Sequence, residues 1–529
     1  MSLSGGTPDD STPRPPGAAR YKRFRAPRAN GETLFDPPSG DLPDLVQENR
    51  SRAAGMAYQL LGTSLLDLRA QARQALRADA GLSPEHASLP LVVTGHQPEL
   101  FHPGVWIKNF VAGSLAKQVG GWAVNLVIDS DLCRSPTVRV PSGTPASPLS
   151  ETVAYDALER PVPYEERSVV DAELFASFPE RVGGKTRGLL KPPLLLDEIW
   201  PSATTIAAAG GSLAEAITGA RHAVELAWGN QTWEMPISRV CDSAGFACFA
   251  IDILARLPDF QRAHNAALAE YRAAHRLRSP AQPLPDLHQR EDWLEAPLWC
   301  WTAADPTRRP LYARQTGRML ELSDLAGQPW RIDLAKEPVG QLADLRLKGL
   351  KVRSRALVTT LYARLVLADL FIHGIGGAKY DEAADHLAER FYGFSPPQYA
   401  TVSATLRLPI EYERATPQDL TRVDQRLREM RHHPERRLQN TPEAQPLIAE
   451  KRAWVDTEKT KANCHERHLA ITSANAAMQR LLAPQRESLL ETRSRLRGLV
   501  QASRVLDSRE YAYCLFPAER LRRLLDIKR

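Results

Sequence analysis

Two imidazoles, His96 and His102, lie close together in the turn from Thr94 to Gly104. The turn follows the apolar run Leu89 to Val93 and precedes the helix-period segment Val105 to Lys117. Such a turn lies at the carboxyl end of a parallel strand, where open α/β folds bind ligands. An imidazole there can donate to an oxyanion or act as acid and base, and the helix that follows offers N–H groups to anions. The alternative is that both histidines are hydrogen-bonded structural residues.

The rest of this turn and its helix supply polar groups to the same place. Thr94, Gly95 and Gln97 are candidate substrate- or anion-binding residues. Lys108, on the first turns of the helix, is another, because an ammonium neutralises an anion. A solvated helix face is the alternative for Lys108.

A second apolar run, Trp122 to Ile128, ends in Asp129-Ser130-Asp131. With the first run and the helix between them it forms one βαβ unit, which predicts neighbouring parallel strands. Asp129 and Asp131 are candidate catalytic residues, because an acid at this edge often meets a ribose hydroxyl. The alternative is a turn that caps its own backbone. The G-x-G-x-x-G fingerprint is absent from the first turn.

A second glycine-rich stretch follows a predicted buried helix over Leu350 to Leu370. The stretch is predicted to be a loop before a helix over Tyr380 to Tyr392, and this arrangement indicates a second anion-binding site. The G-K-[ST] ending of a Walker A loop is missing. Its candidate binding residues are His373, Gly374, Gly376, Gly377, Lys379 and Tyr380. His373 is either a site residue or a packed histidine. For Asp381, Asp385 and Glu389 a solvated stripe is favoured over a divalent-cation site.

Composition narrows the functional class. The 529 residues carry a net charge of +6, with basic residues spread among 62 acids, which suits small anionic molecules better than a nucleic-acid groove. The six cysteines show no C-x-x-C pair, and no spacing indicates a zinc site or any other metal. No signal peptide and no run of about 18 apolar residues is found, so we expect a cytoplasmic protein without membrane contact.

The expected fold class is α/β, with a Rossmann-like doubly wound parallel core. We expect a disordered N-terminal arm over 1–40, a helical lead-in over 41–88 and the core over 89–408, with an insertion near 141–205. We expect a helical coiled-coil arm over 409–503, in which Thr416-Pro417 marks the start of a helix, and a segment over 504–529 that returns to the core. The leucines that repeat every seven residues in this arm are Leu482, Leu489 and Leu496.

Other segments are less decisive. A strand pair is expected around Pro236 to Arg239 and Gly245 to Ile253, between helices at Ser212 to Ala227 and Pro258 to Leu277. The indoles of Trp293 to Trp301 either stack on a ligand or, as favoured, fill a core. The N-terminal basic cluster either touches an acidic surface or, as favoured, is a solvated tail; its members are Arg20, Lys22, Arg23, Arg25 and Arg28.

This order of features resembles the BshC family, the cysteine-adding enzymes of bacillithiol synthesis. The family's T-G-Q-Q-P-G-L-F-like loop is matched by Thr94 to Phe101, and its G-G-P-x-E-x-x-Y-like segment by Gly376 to Asp381. The resemblance spans about residue 89 to the C-terminus. It implies a nucleotide-binding-like core with a coiled-coil arm.

The resemblance also implies an activity, the addition of cysteine to a glucosamine–malate conjugate. The catalytic set is then His96, His102, Asp129 and Asp131, with the two loops facing each other across the carboxyl edge of the sheet. ATP and ADP are the candidate cofactors, and a homodimer is expected. The alternative hypothesis is a non-catalytic binding or assembly protein that keeps the fold and dimerises through the helical arm.

Overall fold

The computed structural model describes residues 24–82, 88–279 and 281–526, with the side chain of Tyr380 left aside. It shows a mixed α/β protein built on two sheets. In the described part of the chain, no helix has the length and apolar character needed to cross a bilayer.

The strands of the two sheets and of two short hairpins alternate with helices along the chain. In chain order the strands are β1 (Thr33–Asp36), β2 (Gln59–Leu60), β3 (Thr63–Ser64), β4 (Leu91–His96), β5 (Trp122–Val127), β6 (Thr137–Thr144), β7 (Ser147–Ala154), β8 (Trp233–Pro236), β9 (Gln289–Arg290), β10 (Trp293–Thr302), β11 (Asp305–Thr316), β12 (Met319–Ser323), β13 (Trp330–Asp333), β14 (Leu350–Ser354), β15 (Leu370–His373) and β16 (Tyr399–Ala404).

The α-helices range from single turns to the long helices of the C-terminal arm. In chain order they are α1 (Leu42–Ala54), α2 (Leu65–Asp79), α3 (Pro103–Gln118), α4 (Ala172–Ala176), α5 (Phe178–Thr186), α6 (Leu195–Ala208), α7 (Leu213–Ala227), α8 (Ile237–Cys241), α9 (Ala244–Ala255), α10 (Leu257–His275), α11 (Pro338–Leu347), α12 (Ala356–Tyr362), α13 (Ile375–Tyr392), α14 (Pro417–His432), α15 (Gln445–Asp456), α16 (Cys464–Leu481), α17 (Ala483–Leu506) and α18 (Ala518–Leu525).

The first sheet has the strand order β1, β16, β15, β4, β5, β8. Its strands run parallel, except that β1 is antiparallel to β16. The predicted βαβ unit is confirmed, since β4 and β5 are parallel neighbours joined through α3, with Thr94 opposite Asn125. Because the strands are parallel, their carboxyl ends meet at one edge of the sheet.

Helices cover both faces of this sheet. Leu91 and Val93 pack into one hydrophobic core with α2, α9 and α10, while Val92 packs into a second core with α3, α6 and α7. The split follows from the alternation of side chains along a strand. Coverage on both faces explains why β4 and β5 are almost uniformly apolar.

The second sheet is antiparallel, in the order β13, β12, β11, β10, β14. β10 carries the indole-rich stretch, and its residues have two environments. Trp301 is buried and donates to Glu166 at 2.7 Å, whereas Trp299 is half-buried and faces a cleft between the sheets. Of these two residues, only Trp301 fits the prediction that the indoles fill a core.

The prediction of one buried helix over Leu350 to Leu370 is wrong. The segment divides into β14, α12, a turn of π-helix (Ala363–Leu367) and the start of β15. Its pairing with β10 decides the first part, since Val352 lies opposite Cys300. Its first residues, Leu350 to Ser354, alternate apolar and polar side chains as a strand does, and the mainly apolar stretch after them fits either a buried helix or a buried strand.

The same ambiguity accounts for the predicted strand at Gly245 to Ile253, which is helix α9. Ser243 caps that helix by accepting a hydrogen bond from the backbone N–H of Phe246 at 3.2 Å. The helix is buried almost all round, so it shows no polar face to reveal its period. Residues 236–239 likewise include only the last residue of β8 before α8 begins.

Helix α13 begins earlier than predicted. The glycine-rich stretch was expected to be a loop before a helix that starts at Tyr380, but Gly376 and Gly377 already belong to the first turn, with Gly374 as the N-cap. Their backbone N–H groups therefore lie at a helix N-terminus, which is the feature that the anion-cradle hypothesis requires.

The prediction of a disordered arm over 1–40 is wrong for its last residues. Residues 33–36 form β1, which pairs with β16 from Thr33 opposite Ala404 onward. Residues 1–23 of the predicted arm, with Arg20, Lys22 and Arg23, lie outside the described residues. The sparse apolar pattern gave no sign of β1, because a four-residue edge strand is held by its partner's backbone.

The C-terminal helices α14 to α17 pack on one another, α14 against α17 and α15 against α16. The predicted start at Thr416 is confirmed, because its hydroxyl accepts from the N–H of Asp419, whose carboxylate accepts from Thr416. Leu482 is buried with Met430 and Met478. After α17 the chain returns to the first sheet, and the N–H of Tyr513 donates to the carbonyl of Phe101 at 2.8 Å.

Candidate functional site

A cleft of about 790 Å³ opens at the carboxyl edge of the first sheet and reaches β10 and β11 of the second. The first residues of α3, α12 and α13 all line it. Its charged lining residues are the basic Lys108, Arg308, Arg355, Lys379 and Arg509 and the acidic Asp131 and Glu510. Three helix N-termini and an excess of cations make the cleft attractive to anions.

Most of the predicted site residues meet in this cleft. They come from three separate segments, the turn after β4, the turn after β5 and the start of α13. Those that line it are Gly95, His96, Gln97, His102, Lys108, Asp131, His373, Gly374, Gly376, Gly377 and Lys379.

His102 is the N-cap of α3. Its Nδ1 accepts a hydrogen bond from the N–H of Gly104 at 3.1 Å, so Nδ1 carries no proton and Nε2 points toward Glu510 at 3.5 Å. Burial lowers the pKa of His102 to about 4, against the opposing influence of Glu510. The imidazole is therefore neutral near pH 7 and holds the start of the helix in place.

His96 ends β4 beside the cleft. Its Nδ1 lies 3.2 Å from the carbonyl of Gln97, and its ring packs edge-on against Phe101. Burial and the nearby Lys108 lower the pKa of His96 to about 3. The ring is neutral near pH 7, and it can offer a hydrogen bond but no positive charge.

Lys108 is a buried cation in the wall of the cleft. Its Nζ donates to the carbonyl of Gly95 at 2.7 Å, and no described carboxylate lies within ion-pair distance. Burial and the neighbouring Arg221 lower the pKa of Lys108 to about 7. A buried ammonium without a counter-ion favours the binding of an anion beside it.

The titration of Lys108 predicts a pH-dependent stability. Because its pKa falls from 10.5 to about 7 on folding, the unfolded chain binds more protons across that window and wild-type stability rises with pH there. Relative to wild type, Lys108→Met should therefore stabilise the protein most below about pH 7, with a gain that shrinks toward about pH 10.5. Urea unfolding from about pH 6 to about pH 10 measures this difference. A constant difference would contradict it, and Lys117→Met, exposed on the same helix, is the control.

His373 and Asp381 form a buried pair at the start of α13. The Nε2 of His373 lies 2.6 Å from Asp381, which Arg364 also contacts at 3.1 Å. Burial favours the protonated acid, but His373 and Arg364 prevail and lower the pKa of Asp381 to about 2. A carboxylate that holds one ring nitrogen leaves the other for proton transfer.

Gly377 makes room for this imidazole. A Cβ atom at Gly377 would lie 2.5 Å from the Nδ1 of His373, so the first turn of α13 can approach the ring only with glycine there. No described residue forms a hydrogen bond with that Nδ1. The second nitrogen of His373 is thus available at the wall of the cleft.

Two of the predicted residues have structural roles. Thr94 is fully buried and donates to the carbonyl of Ile372 at 2.9 Å, which ties β4 to β15.

Asp129 accepts hydrogen bonds from both the N–H and the hydroxyl of Ser238 at the start of α8. Burial and Glu165 raise the pKa of Asp129 to about 6. Asp129 thus holds the start of α8, which differs from both sequence interpretations, an acid that meets a ribose and a turn that caps its own backbone. Tyr380 lies in α13, and its side chain is outside the described part of the structure.

Several cleft residues were missed from the sequence. Asp381 was placed in a solvated acidic stripe, yet it is fully buried against His373, eight residues earlier in the chain. Arg308, Arg355 and Glu510 carry no local signal, because they reach the cleft from the second sheet, the β14–α12 turn and the C-terminal segment. Only the folded chain brings them to the edge of the first sheet.

The arrangement suits the chemistry of a small anionic molecule. The N-caps of α12 and α13 make no side-chain capping bond, so their first backbone N–H groups can serve a ligand. Within the described ranges, no three His, Cys, Asp or Glu side chains are grouped to hold a metal ion. The groups available to bind a ligand or to react with it are the cations, the helix N-termini and the His373–Asp381 pair.

Comparison with known proteins gives no assignment. No protein-family model matches the chain. No curated protein matches its sequence either. The geometry of the cleft and the resemblance of its two motifs are therefore the basis of the functional proposal.

Proposed function

We propose that this protein is an enzyme that acts on a small anionic substrate in the cleft, with His373 as the general base. The observation that carries the proposal is the His373–Asp381 pair, 2.6 Å apart, whose imidazole lines the cleft beside the N-termini of α3 and α13. A histidine oriented by a buried carboxylate is a recurrent acid–base device. The surrounding helix N-termini supply the attraction for an anion.

The reaction class that fits best is the ligation of an amino acid to an amino sugar, as in the BshC-like enzymes. The amine nitrogen of the sugar attacks the carboxyl carbon of cysteine, a C–N bond forms and a C–O bond breaks. His373 accepts the proton that the amine loses. The oxygen leaves as water, or as phosphate or AMP where ATP has activated the carboxyl group. This proposal includes a Rossmann-like arrangement of the core and a coiled-coil arrangement of the C-terminal arm.

ATP or ADP fits the residues at the edge of the sheet. Backbone N–H groups at Gly376 and Gly377, with Lys108 and Lys379 nearby, are the kind of groups that hold phosphate oxygens. A nucleotide would supply the activation of the carboxyl group. The chain's own contribution is to bind the phosphates, to exclude water and to accept the amine proton at His373.

The test is product formation by the purified full-length protein. Cysteine and glucosaminyl-malate are mixed with it, with and without ATP, and a product with the summed mass less one water is sought by mass spectrometry. Wild type should form this product. Its absence under both conditions, from protein that is folded by circular dichroism, would overturn the ligase assignment.

A second candidate is a non-catalytic assembly protein that dimerises through the helical arm. The observation in its favour is a set of exposed apolar side chains on α15 and α16, namely Val455, Leu469 and Leu481, at 48%, 54% and 41% exposure. Light scattering would show the oligomeric state, and Leu469→Glu should weaken a dimer in which Leu469 is buried. A dimer without product formation would favour this candidate, and a monomer would remove it.

A further inference from the structure

The cleft has a second group of charged residues, where β10 and β11 of the second sheet contribute. Two guanidinium groups lie over the ring of Trp299 there, Arg308 at 4.5 Å and Arg355 at 4.0 Å from the ring centroid. These contacts help to hold both groups in position. This part of the cleft therefore contains preorganised cations.

Arg308 has donors to spare. It uses Nη1 for the carbonyl of Ser130 at 3.0 Å and for Asp131 at 2.8 Å. No described residue accepts a hydrogen bond from its Nη2 or Nε, although its side chain is only 9% exposed. An almost buried guanidinium with an open pair of donors suits the two oxygens of a carboxylate.

Asp131 supplies the opposite charge at the same place. Its two oxygens accept from Arg308 and from the amide of Gln97 at 2.9 Å, and its side chain is 38% exposed toward the cleft. Each carboxylate oxygen has a further lone pair, so Asp131 can still receive an ammonium group. The guanidinium of Arg308 and the carboxylate of Asp131 therefore lie side by side, one hydrogen bond apart.

Apolar side chains complete this part of the cleft. They are Leu284, Pro285, Leu287 and Pro297, and the neutral ring of His264 lies beside them. Burial lowers the pKa of His264 to about 4, so it brings no charge. An uncharged side chain of a ligand would be covered by this wall, whereas a cationic one would lose its hydration and meet Arg355.

We infer that Arg308 and Asp131 form a recognition site for the zwitterion of an α-amino acid with an uncharged side chain. The carboxylate binds to Nη2 and Nε of Arg308, the ammonium group binds to Asp131, and the side chain lies against the apolar wall. The inference rests on the proposed function, for which it names the place of the amino-acid substrate. It places the reacting carboxyl group on a guanidinium that also polarises it.

Binding by isothermal titration calorimetry tests this site, with L-cysteine and L-alanine as probes. Propionate lacks the ammonium group and ethylamine lacks the carboxylate, so each should bind about 10- to 100-fold more weakly than L-alanine. L-Lysine should also bind more weakly than L-alanine. Binding of propionate equal to that of L-alanine would overturn the inference.

Two variants separate recognition from a general structural defect. Asp131→Asn should weaken L-alanine about 10-fold or more and should not weaken propionate, because the ammonium contact is lost and the carboxylate that neutralises Arg308 is lost with it. Arg308→Lys should weaken both, because an ammonium cannot replace the two-pronged guanidinium. Arg309→Lys, next to it and paired with Asp305 and Asp324, is the matched control and should bind as wild type.

The product assay distinguishes failure of this site from failure of the proposed function. If wild type forms the cysteine conjugate but both variants bind L-cysteine normally, the site is wrong and the ligase assignment stands. If the binding pattern is as expected and no product forms, the amino-acid site stands and the ligase assignment falls.

Discussion

Replacement of His373 by alanine should lower the rate of product formation by about 100- to 10,000-fold, the usual contribution of a general base. On the proposed mechanism the loss should appear in kcat, because His373 would accept the proton while Lys108 and the helix N-termini would hold the anion. Steady-state kinetics with glucosaminyl-malate as the varied substrate measures it. A KM effect without a kcat effect would show that His373 binds substrate instead.

Two further variants define the role of the pair. Asp381 is a positioning residue, since its contact with the reaction runs through the ring of His373 at 2.6 Å. Asp381→Asn should lower kcat with little change in KM, because Arg364 still holds the side chain in place. His468→Ala, an exposed histidine on α16, is the matched control and should retain full activity. Unchanged kcat in both cleft variants would remove acid–base catalysis by this pair.

Replacement of Gly104 by alanine should destabilise the fold by about 1 to 3 kcal/mol or more, the range for an overpacked site. A Cβ atom there would overlap the carbonyl oxygen of Ala404 on β16 and the guanidinium of Arg509. The carbonyl belongs to the last residue of β16, whose backbone is paired with β1, and it cannot move aside cheaply. Urea unfolding at constant pH measures the free-energy difference.

Gly340→Ala gives the matched comparison. Gly340 lies inside α11, and a Cβ atom there meets nothing within 4 Å, so alanine should be neutral or should stabilise by about 0.4 to 1 kcal/mol. Equal effects at Gly104 and Gly340 would contradict the close approach of α3 to β16. Gly104→Ala should also displace His102, because its ring lies 2.9 Å from the same Cβ position.

Local patterns were sufficient for the parts of the site that a single segment builds. The apolar runs before His96 and Asp129, with a helical period between them, gave two parallel neighbouring strands and one edge with polar turns. The glycines after His373 gave a helix N-terminus beside the same edge, one turn later than its true start. These inferences hold because strand alternation and helix capping act over a few residues.

Where one apolar run fits both helix and strand, the sequence was insufficient. Phe246 to Leu254 belongs to helix α9, and its only charged side chain is Asp252. Leu350 to Ser354 is strand β14, whose pairing with β10, some fifty residues away, selects the strand over the predicted helix. Burial on all sides removes the polar face that would have shown the period.

The sequence by itself determined the sheet edge and the two turns that lie at it. Tertiary structure alone decided which acids act at the edge. It turned Asp129 toward Ser238 as a cap, buried Asp381 against His373 and set Arg308 beside Asp131. The reason is physical: a carboxylate's role depends on the partner that meets it after folding, and these three partners lie 109, 8 and 177 residues away along the chain.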